Sequence, residues 1–141
     1  MRTVARLLVI TLPLYFLWEM LQAPAFTGMP AGWLEATVVC GVATLGDGVI
    51  VLGLFGFGWL MFRDFRWFMP VRFHRYVIIV LAGVAVQVVV EWIMVYGLGR
   101  WGYAQGHLVV PSLGVGLLPV LQAIMLLPVI FWGLALWERA P

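Results

Sequence analysis

Four long apolar stretches dominate this sequence and limit what it can fold into. Each is long enough to cross the hydrocarbon core of a bilayer, which is about 30 Å thick and takes about 20 helical residues. Their approximate bounds are 4–22, 34–62, 76–98 and 113–137. Only 10% of the residues are charged, against roughly 25% in soluble domains. The sequence therefore predicts an all-α integral membrane protein, a four-helix bundle forming a single transmembrane domain over residues 1–141.

The distribution of arginine predicts how these helices are oriented. All eight basic residues are Arg, and a formal net charge of +2 gives no sign of a nucleic-acid surface. Seven of them lie near the termini or in the loop 63–75, and Arg100 alone lies in the loop 97–112. Because cytoplasmic loops carry the excess of Arg, we predict that both termini and loop 63–75 are cytoplasmic, in a bacterial or archaeal inner membrane.

Tryptophans lie close to the predicted membrane boundaries. Trp59, Trp67 and Trp137 fall near the cytoplasmic boundary, and Trp33 and Trp101 fall near the outer one. Amphipathic indole rings are enriched at headgroup level on both sides of a bilayer. We therefore predict that these five side chains are interfacial anchors.

Two of the stretches carry residues that disturb a regular helix. The second, about 29 residues long, contains six glycines, which predicts tilt, a kink or local unwinding. Cys40, Thr44 and Gly48 recur every four residues within it and predict a face for close helix packing. Pro119 and Pro128 interrupt the fourth stretch, and each removes one backbone donor.

Each predicted helix carries one polar residue at a similar distance from the nearest cytoplasmic arginine. The four are Glu19 (13 positions beyond Arg6), Asp47 (16 before Arg63), Glu91 (16 beyond Arg75) and Gln122 (17 before Arg139). At about 1.5 Å of rise per helical residue, all four lie about 20–25 Å from the inner edge. We therefore predict one polar layer in the outer half of the membrane, thickened by Gln22 and Gln87 on neighbouring turns.

Retaining three carboxylates at this depth needs an explanation. An acid at mid-membrane costs about 2.5–3.5 kcal/mol on insertion scales, so these side chains should face the bundle interior or a wet cavity. Burial and mutual repulsion prevent all three from staying ionised at low cost. One alternative is that they only hold the helices together by hydrogen bonds. Another is a hard divalent cation, because the layer offers oxygen ligands, and the single Cys40 excludes Cys-pair chemistry within one chain.

The loop 97–112 lies just above this layer and carries further candidate side chains. Arg100 could supply a cation to a phosphate, a substrate carboxylate or Glu91, and Trp101 and Tyr103 could stack on a ligand. His107 could exchange protons between the exterior and the acids. The alternatives are an interfacial anchor for the first three and an ordinary loop histidine for the last.

These features favour a small membrane-embedded enzyme that acts on a lipophilic prenyl, polyene or lipid substrate by carboxylate acid and base chemistry. The predicted chemistry is of an isomerase or cyclase type, and the sequence requires no cofactor for it. We predict Glu91 and Asp47 as the acid and base, with Glu19 as the third charge. The predicted substrate-binding residues are Gln22, Gln87, Gln122, Arg100, Trp101, Tyr103 and His107.

The architecture resembles that of small polytopic lycopene cyclase subunits, in which short membrane helices and intramembrane acids act on a polyene. That family carries a Pro-x-Glu-Glu or Pro-x-Glu-Asp signature. The nearest stretch here is Pro119-Val120-Leu121-Gln122, which offers an amide in place of an acid. The resemblance therefore implies a membrane enzyme with a polyene-like substrate through architecture alone.

Two further functions stay open. A proton-coupled transporter or channel would work as a dimer, because four helices rarely enclose a pathway alone, and Asp47 between two glycines could mark a helix break. The almost wholly apolar inner halves of the four stretches favour a pocket over such a pathway. An accessory subunit of a larger membrane complex is the third possibility, with the aromatic surface contacting lipid and partners.

Overall fold

The computed structural model describes residues 1–140, and within them four long helices account for most of the chain. They are α1 (Arg2–Gln22), α2 (Trp33–Phe62), α3 (Phe73–Glu91) and α4 (Leu117–Arg139). Each is long and apolar enough to cross a membrane, if α3 is counted with the turn that continues it. The prediction of four apolar helices of membrane-spanning length is confirmed.

Helix α2 is continuous over 30 residues despite its glycines. At Gly41, Gly46, Gly53 and Gly56 an added β-carbon would meet no other atom within 4 Å, so these glycines do not face a packed neighbour. The expectation of local unwinding is wrong. The predicted packing face of Cys40, Thr44 and Gly48 is buried, and a β-carbon at Gly48 would lie 3.1 Å from the Leu12 side chain.

Helix α3 changes its winding directly after Glu91. A π-helical turn, Trp92–Gly97, continues it, and the Leu98 amide bonds to the Ile93 carbonyl five residues earlier at 2.8 Å. Such wide turns insert an extra residue into the helical repeat and occur often at functional sites. Side chains beyond Glu91 are therefore rotated relative to the regular helix that the sequence predicts.

Helix α4 begins at Leu117, four residues later than predicted. The preceding residues form an antiparallel hairpin of β3 (Val109–Val110) and β4 (Val115–Gly116). Pro119 lies in the first turn of the helix, where a backbone N–H has no helical partner in any case. Pro119 thus marks the start of α4, and only Pro128 lies in its interior.

A second pair of short strands joins the loop after α1 to the loop after α3. Strand β1 (Phe26–Thr27), which follows α1, pairs with β2 (Gly102–Tyr103) in the loop after α3. The Ala104 amide also donates to the Ala25 carbonyl at 3.0 Å. This joined structure, here called the outer cap, covers the ends of α1, α3 and α4 and comprises residues 23–27 and 98–116.

The helices form a ring in which the neighbours are α2, α1, α4 and α3. Helix α1 packs closely on α2 and α4, and α3 packs on α4, whereas the contact of α2 with α3 is the weakest of the four. An ion pair of 2.9 Å between Arg6 and Glu138 joins the first turns of α1 to the last turn of α4. Both termini therefore lie at the same end of the bundle.

The short loop between α2 and α3 plugs that end of the bundle. Trp67 and Phe68 are fully buried, and the Trp67 indole donates to the Phe55 carbonyl at 3.1 Å. A β-carbon at Gly58 would collide with the Trp67 ring, so only glycine leaves room for it there. The prediction that Trp67 is an interfacial anchor is wrong, because the loop turns inward and makes Trp67 a core residue.

The same loop is held by an ion pair between its first residues and the start of α3. Arg75 donates to Asp64 at 3.0 Å and to the Trp67 carbonyl at 3.0 Å. The Arg75 guanidinium holds the pKa of Asp64 below its usual range. Of the other predicted anchors, Trp33, Trp59 and Trp137 have exposed side chains that suit a lipid boundary.

Candidate functional site

Three of the four predicted layer residues meet inside the bundle. Gln122 of α4 donates its amide to Glu19 of α1 at 3.4 Å and to Asp47 of α2 at 3.3 Å. Gln22 donates to Glu19 at 2.7 Å and to the Gln122 carbonyl oxygen at 3.3 Å. We call Glu19 and Asp47, together with the two glutamines that bridge them, the amide-bridged acid pair. It is the arrangement that depth counting predicts for α1, α2 and α4.

The acid pair is deeply buried and has no positive partner. Glu19 and Asp47 are each 8% exposed and Gln122 is 1% exposed. Among the first 140 residues, the ion pairs are Arg6–Glu138 and Arg75–Asp64, so no arginine reaches either carboxylate. Both acids depend on neutral amides for hydrogen bonding, and two ionised carboxylates would leave buried charge uncompensated.

Local sequence explains how these side chains are placed. Glu19 and Gln22 are three residues apart and share one face of α1, and Trp18 fixes Gln22 by donating to its side-chain oxygen at 3.0 Å. Asp47 is followed by Gly48, which lets α1 and α2 approach closely. Gln122 lies one turn beyond Leu118 on α4 and reaches across the ring to α2. The neighbours of each acid on its own helix, Gln22 for Glu19 and Gly48 for Asp47, thus help to place its side chain inside the bundle.

Glu91, the last residue of α3, makes no hydrogen bond with the bridged pair and contacts the outer cap instead. Its carboxylate accepts a hydrogen bond of 2.5 Å from the Tyr103 hydroxyl, which in turn accepts one of 2.8 Å from the Gly116 amide. Burial and the Glu91 carboxylate raise the pKa of the Tyr103 phenol, so it stays a donor. The four-helix layer of the sequence analysis is therefore two adjoining groups, one within the bundle and one under the cap.

The remaining predicted residues differ in their surroundings. His107 stacks on Tyr103 with ring centroids 4.7 Å apart, and its Nδ1 lies 2.9 Å from the Ala25 carbonyl, to which it must donate. Trp101 lies near Glu91, although its buried Nε1 has no hydrogen-bond partner in the described part of the chain. Arg100 is exposed and Gln87 is half-buried, and neither reaches the acid pair.

A cleft opens between the outer cap and the bundle, after the end of α1 and at the start of α4. It has a volume of about 310 Å³ and is lined by Pro24 and Ala25 after α1, by residues 104–108 of the cap, and by Leu117 and Leu118 of α4. Leu118 lies one helical turn above Gln122. None of the four residues of the amide-bridged acid pair lines the cleft itself.

Two buried polar residues on α1 escaped the sequence analysis. Thr11 is 0% exposed and Tyr15 is 4% exposed, and the Thr11 hydroxyl has no partner as far as residue 140. With Glu19 and Gln22 they recur at spacings of four, four and three, which places all four on one helix face. That periodicity was the available signal, because neither residue is charged and each alone reads as apolar packing.

Within residues 1–140, no group of three or more His, Cys, Asp or Glu side chains is placed to hold a metal ion. Comparisons of the chain with protein-family models, with curated proteins and with solved structures gave no match. The geometry of the acid pair and of the outer cap is therefore the basis for any functional assignment.

Removal of the Tyr103 hydroxyl tests how the outer cap is held. Tyr103→Phe leaves both the Glu91 carboxylate and the Gly116 amide without their partner, and we expect a loss of about 1–3 kcal/mol in the free energy of unfolding. Tyr96→Phe is the matched control, because the Tyr96 hydroxyl makes one exposed hydrogen bond, to the Gly114 carbonyl. Unfolding of both variants in detergent gives the comparison, and equal losses would show that the Tyr103 bridge contributes nothing special.

Proposed function

We propose that the chain is a membrane-embedded enzyme that isomerises or cyclises a lipophilic substrate with the amide-bridged acid pair. The observation that carries this proposal is two carboxylic side chains, both buried, that share one amide and lack a cation among the described residues. A pair held in this way is best accommodated as one carboxylic acid beside one carboxylate. It then offers a proton donor and a proton acceptor at once.

The reaction needs no external reagent. The carboxylic acid gives its proton to an alkene carbon or a carbonyl oxygen of the substrate, and the neighbouring carboxylate removes a proton from an adjacent carbon. One proton is gained and one is lost, so the substrate is rearranged without oxidation or hydrolysis. The acid pair ends with its proton moved from one member to the other, and Gln122, which donates to both, holds them in place.

This assignment changes the roles expected from the sequence. Glu19 and Asp47 become the acid and base, in either order. Glu91 becomes a positioning residue that fixes the outer cap through Tyr103. Tyr15 lies one turn from Glu19 on the same face and close to both acids, where its ring can pack against the substrate. The cleft between the outer cap and the bundle, which ends one helical turn from Gln122 at Leu118, would provide the binding space.

The proposal extends to the orientation of the protein. The Arg-rich end that holds both termini and the loop between α2 and α3 would face the cytoplasm, and the outer cap would lie on the other side. Trp67 and Phe68 then seal the cytoplasmic end. Because the bundle is closed at one end, it favours a pocket that opens to the outer leaflet and not a pathway across the membrane.

Lipid analysis tests the proposed activity directly. Lipids would be extracted from cells that produce the wild-type chain and from cells that produce the Glu19→Gln/Asp47→Asn double variant at equal level, and compared by mass spectrometry and chromatography. We expect isomeric products, equal in mass to their precursor but different in retention, only with the wild-type chain. Identical lipid profiles in a panel of prenyl and polyene-producing hosts would refute the proposal.

A proton-coupled transporter is the second candidate, and one observation favours it. Thr11 and Tyr15 extend the polar face of α1 from the acid pair toward the plugged end of the bundle. If these groups relay protons, purified protein in liposomes should dissipate a pH gradient, and Thr11→Val should slow it. Gradient loss by the wild type with an unchanged lipid profile would replace the enzyme with the transporter.

Cysteine labelling tests the orientation. Cys40 is the only cysteine in the sequence, so Cys40→Ala gives a background for single cysteines at the exposed positions Arg2, Arg66 and Gln105. With an impermeant maleimide on intact cells we expect labelling at position 105 alone. Labelling at positions 2 and 66 and protection at 105 would reverse the orientation.

A further inference from the structure

A shallow apolar groove runs along the outside of the bundle between α3 and α4. Its volume is about 470 Å³, and its walls include Val71, Phe73, Val77 and Leu81 on one side and Ile124 and Pro128 on the other. It does not involve the acid pair or the outer cap. A groove of this kind on a membrane-spanning surface is filled by a hydrocarbon chain.

The depth of the groove matches one leaflet of a bilayer. On α3 it extends from Phe73 to Leu81, which is eight residues or about 12 Å. On α4 Pro128 and Ile124 lie 11 and 15 residues before Arg139, or about 17 and 23 Å from the same end. Half of a hydrocarbon core of about 30 Å is about 15 Å. The groove therefore runs from the arginine-rich end to beyond the middle of such a core, which is long enough for a single acyl chain.

Two arginines flank the mouth of the groove. Arg72 directly precedes α3, and Arg139 ends α4 and lies close enough to act on the Tyr76 hydroxyl, which also lines the groove. Neither arginine forms an ion pair with another residue in the range 1–140. Arg75, one turn along, is by contrast occupied by Asp64. The mouth thus carries two guanidinium groups outside the ion pairs, and the Asp64 carboxylate, which is bound by Arg75, is the charge that acts on Arg72 from a distance.

We propose that this groove is a binding site for an anionic phospholipid, with its phosphate between Arg72 and Arg139 and one acyl chain along α3 and α4. Guanidinium groups form forked hydrogen bonds with phosphate, and a headgroup with net negative charge keeps the full attraction that a zwitterionic headgroup loses to its own ammonium. The groove adds apolar contact with one acyl chain. Arginines that are only attracted to a charged membrane surface make no such contact.

The site is tested by lipid retention. Wild-type protein would be reconstituted with equal amounts of phosphatidylglycerol and phosphatidylcholine, released, and weighed by native mass spectrometry. We expect one phosphatidylglycerol retained in preference, and about 25-fold weaker retention in Arg72→Gln/Arg139→Gln, at about fivefold for each arginine. The control Arg63→Gln/Arg66→Gln removes the same charge away from the groove and should change retention less than twofold.

A second pair of variants separates the groove from the arginines. Val77→Trp fills the groove, and Val86→Trp places the same side chain on α3 outside it, at an equal exposure of 37%. Only Val77→Trp should lower phosphatidylglycerol retention. The proposal is overturned if both lipids are retained equally, if the two arginine pairs act alike, if Val77→Trp has no effect, or if a second copy of the chain covers the groove and excludes lipid.

Discussion

Glu19→Gln and Asp47→Asn are each expected to lower turnover by about 10²- to 10⁴-fold, the usual contribution of a general acid or base. Either substitution keeps an oxygen that can accept the Gln122 or Gln22 amide, so the bundle should still fold. What is lost is a proton that can be given or taken. Rates would be measured as isomeric product formed per protein in liposomes, and folding as the detergent-solubilised monodisperse fraction.

Glu35→Gln is the matched control for these variants. Glu35 also lies on α2 but is exposed in its first turn, so turnover should be unchanged. If instead Glu19→Gln and Asp47→Asn fail to fold while the surviving protein turns over normally, the acid pair only holds the helices together. That outcome would show that Glu19 and Asp47 stabilise the bundle by hydrogen bonding and do not act in catalysis.

Trp67→Ala is expected to destabilise the bundle by about 3–5 kcal/mol, the usual loss for a large aromatic side chain removed from a core. The indole is fully buried, packs at a tilt against Phe131 with ring centroids 4.7 Å apart, and donates a hydrogen bond to the Phe55 carbonyl. Its removal leaves a cavity in the core and takes away that hydrogen bond. The free energy of unfolding in mixed detergent micelles gives the measurement.

Trp59→Ala provides the comparison for this prediction. Trp59 is the same residue type, lies only one turn before the end of α2 and is 48% exposed, so its loss should cost well under half as much. Equal effects would mean that Trp67 acts as a lipid anchor after all. A matching test at the other side of the contact is Gly58→Ala, whose β-carbon has no room beside the Trp67 ring.

Much of the acid pair could be predicted because helical rise is constant. Counting residues from the arginines placed Glu19, Asp47 and Gln122 at one level, and the three do meet. The same count placed Glu91 in this layer, but its hydrogen-bond partner is Tyr103 of the outer cap. Depth along a helix does not specify which side chain a residue contacts. The π-helical turn after Glu91 and the strand pairing of the cap bring Tyr103 to its carboxylate, and neither follows from apolar periodicity.

The errors at Trp67 and at the start of α4 have separate causes. A tryptophan among arginines has the composition of an interfacial loop, and only the pairing with Gly58, nine residues earlier, signals that the loop turns inward. The stretch from Leu113 onward is apolar enough for a helix, yet Pro119 is best placed in a first turn. Treating that proline as a starting signal would have given the correct boundary.

The length of α2 ties this bundle to the bilayer in a particular way. Thirty helical residues span about 45 Å, well beyond a hydrocarbon core of about 30 Å, so α2 must lean or protrude further than the shorter helices. Asp47 stands 14 residues from Trp33 and 15 from Phe62, at the pivot about which such a lean occurs. Changes in membrane thickness would therefore swing the ends of α2 and leave the Asp47 carboxylate nearly still, so that the acid pair tolerates hydrophobic mismatch.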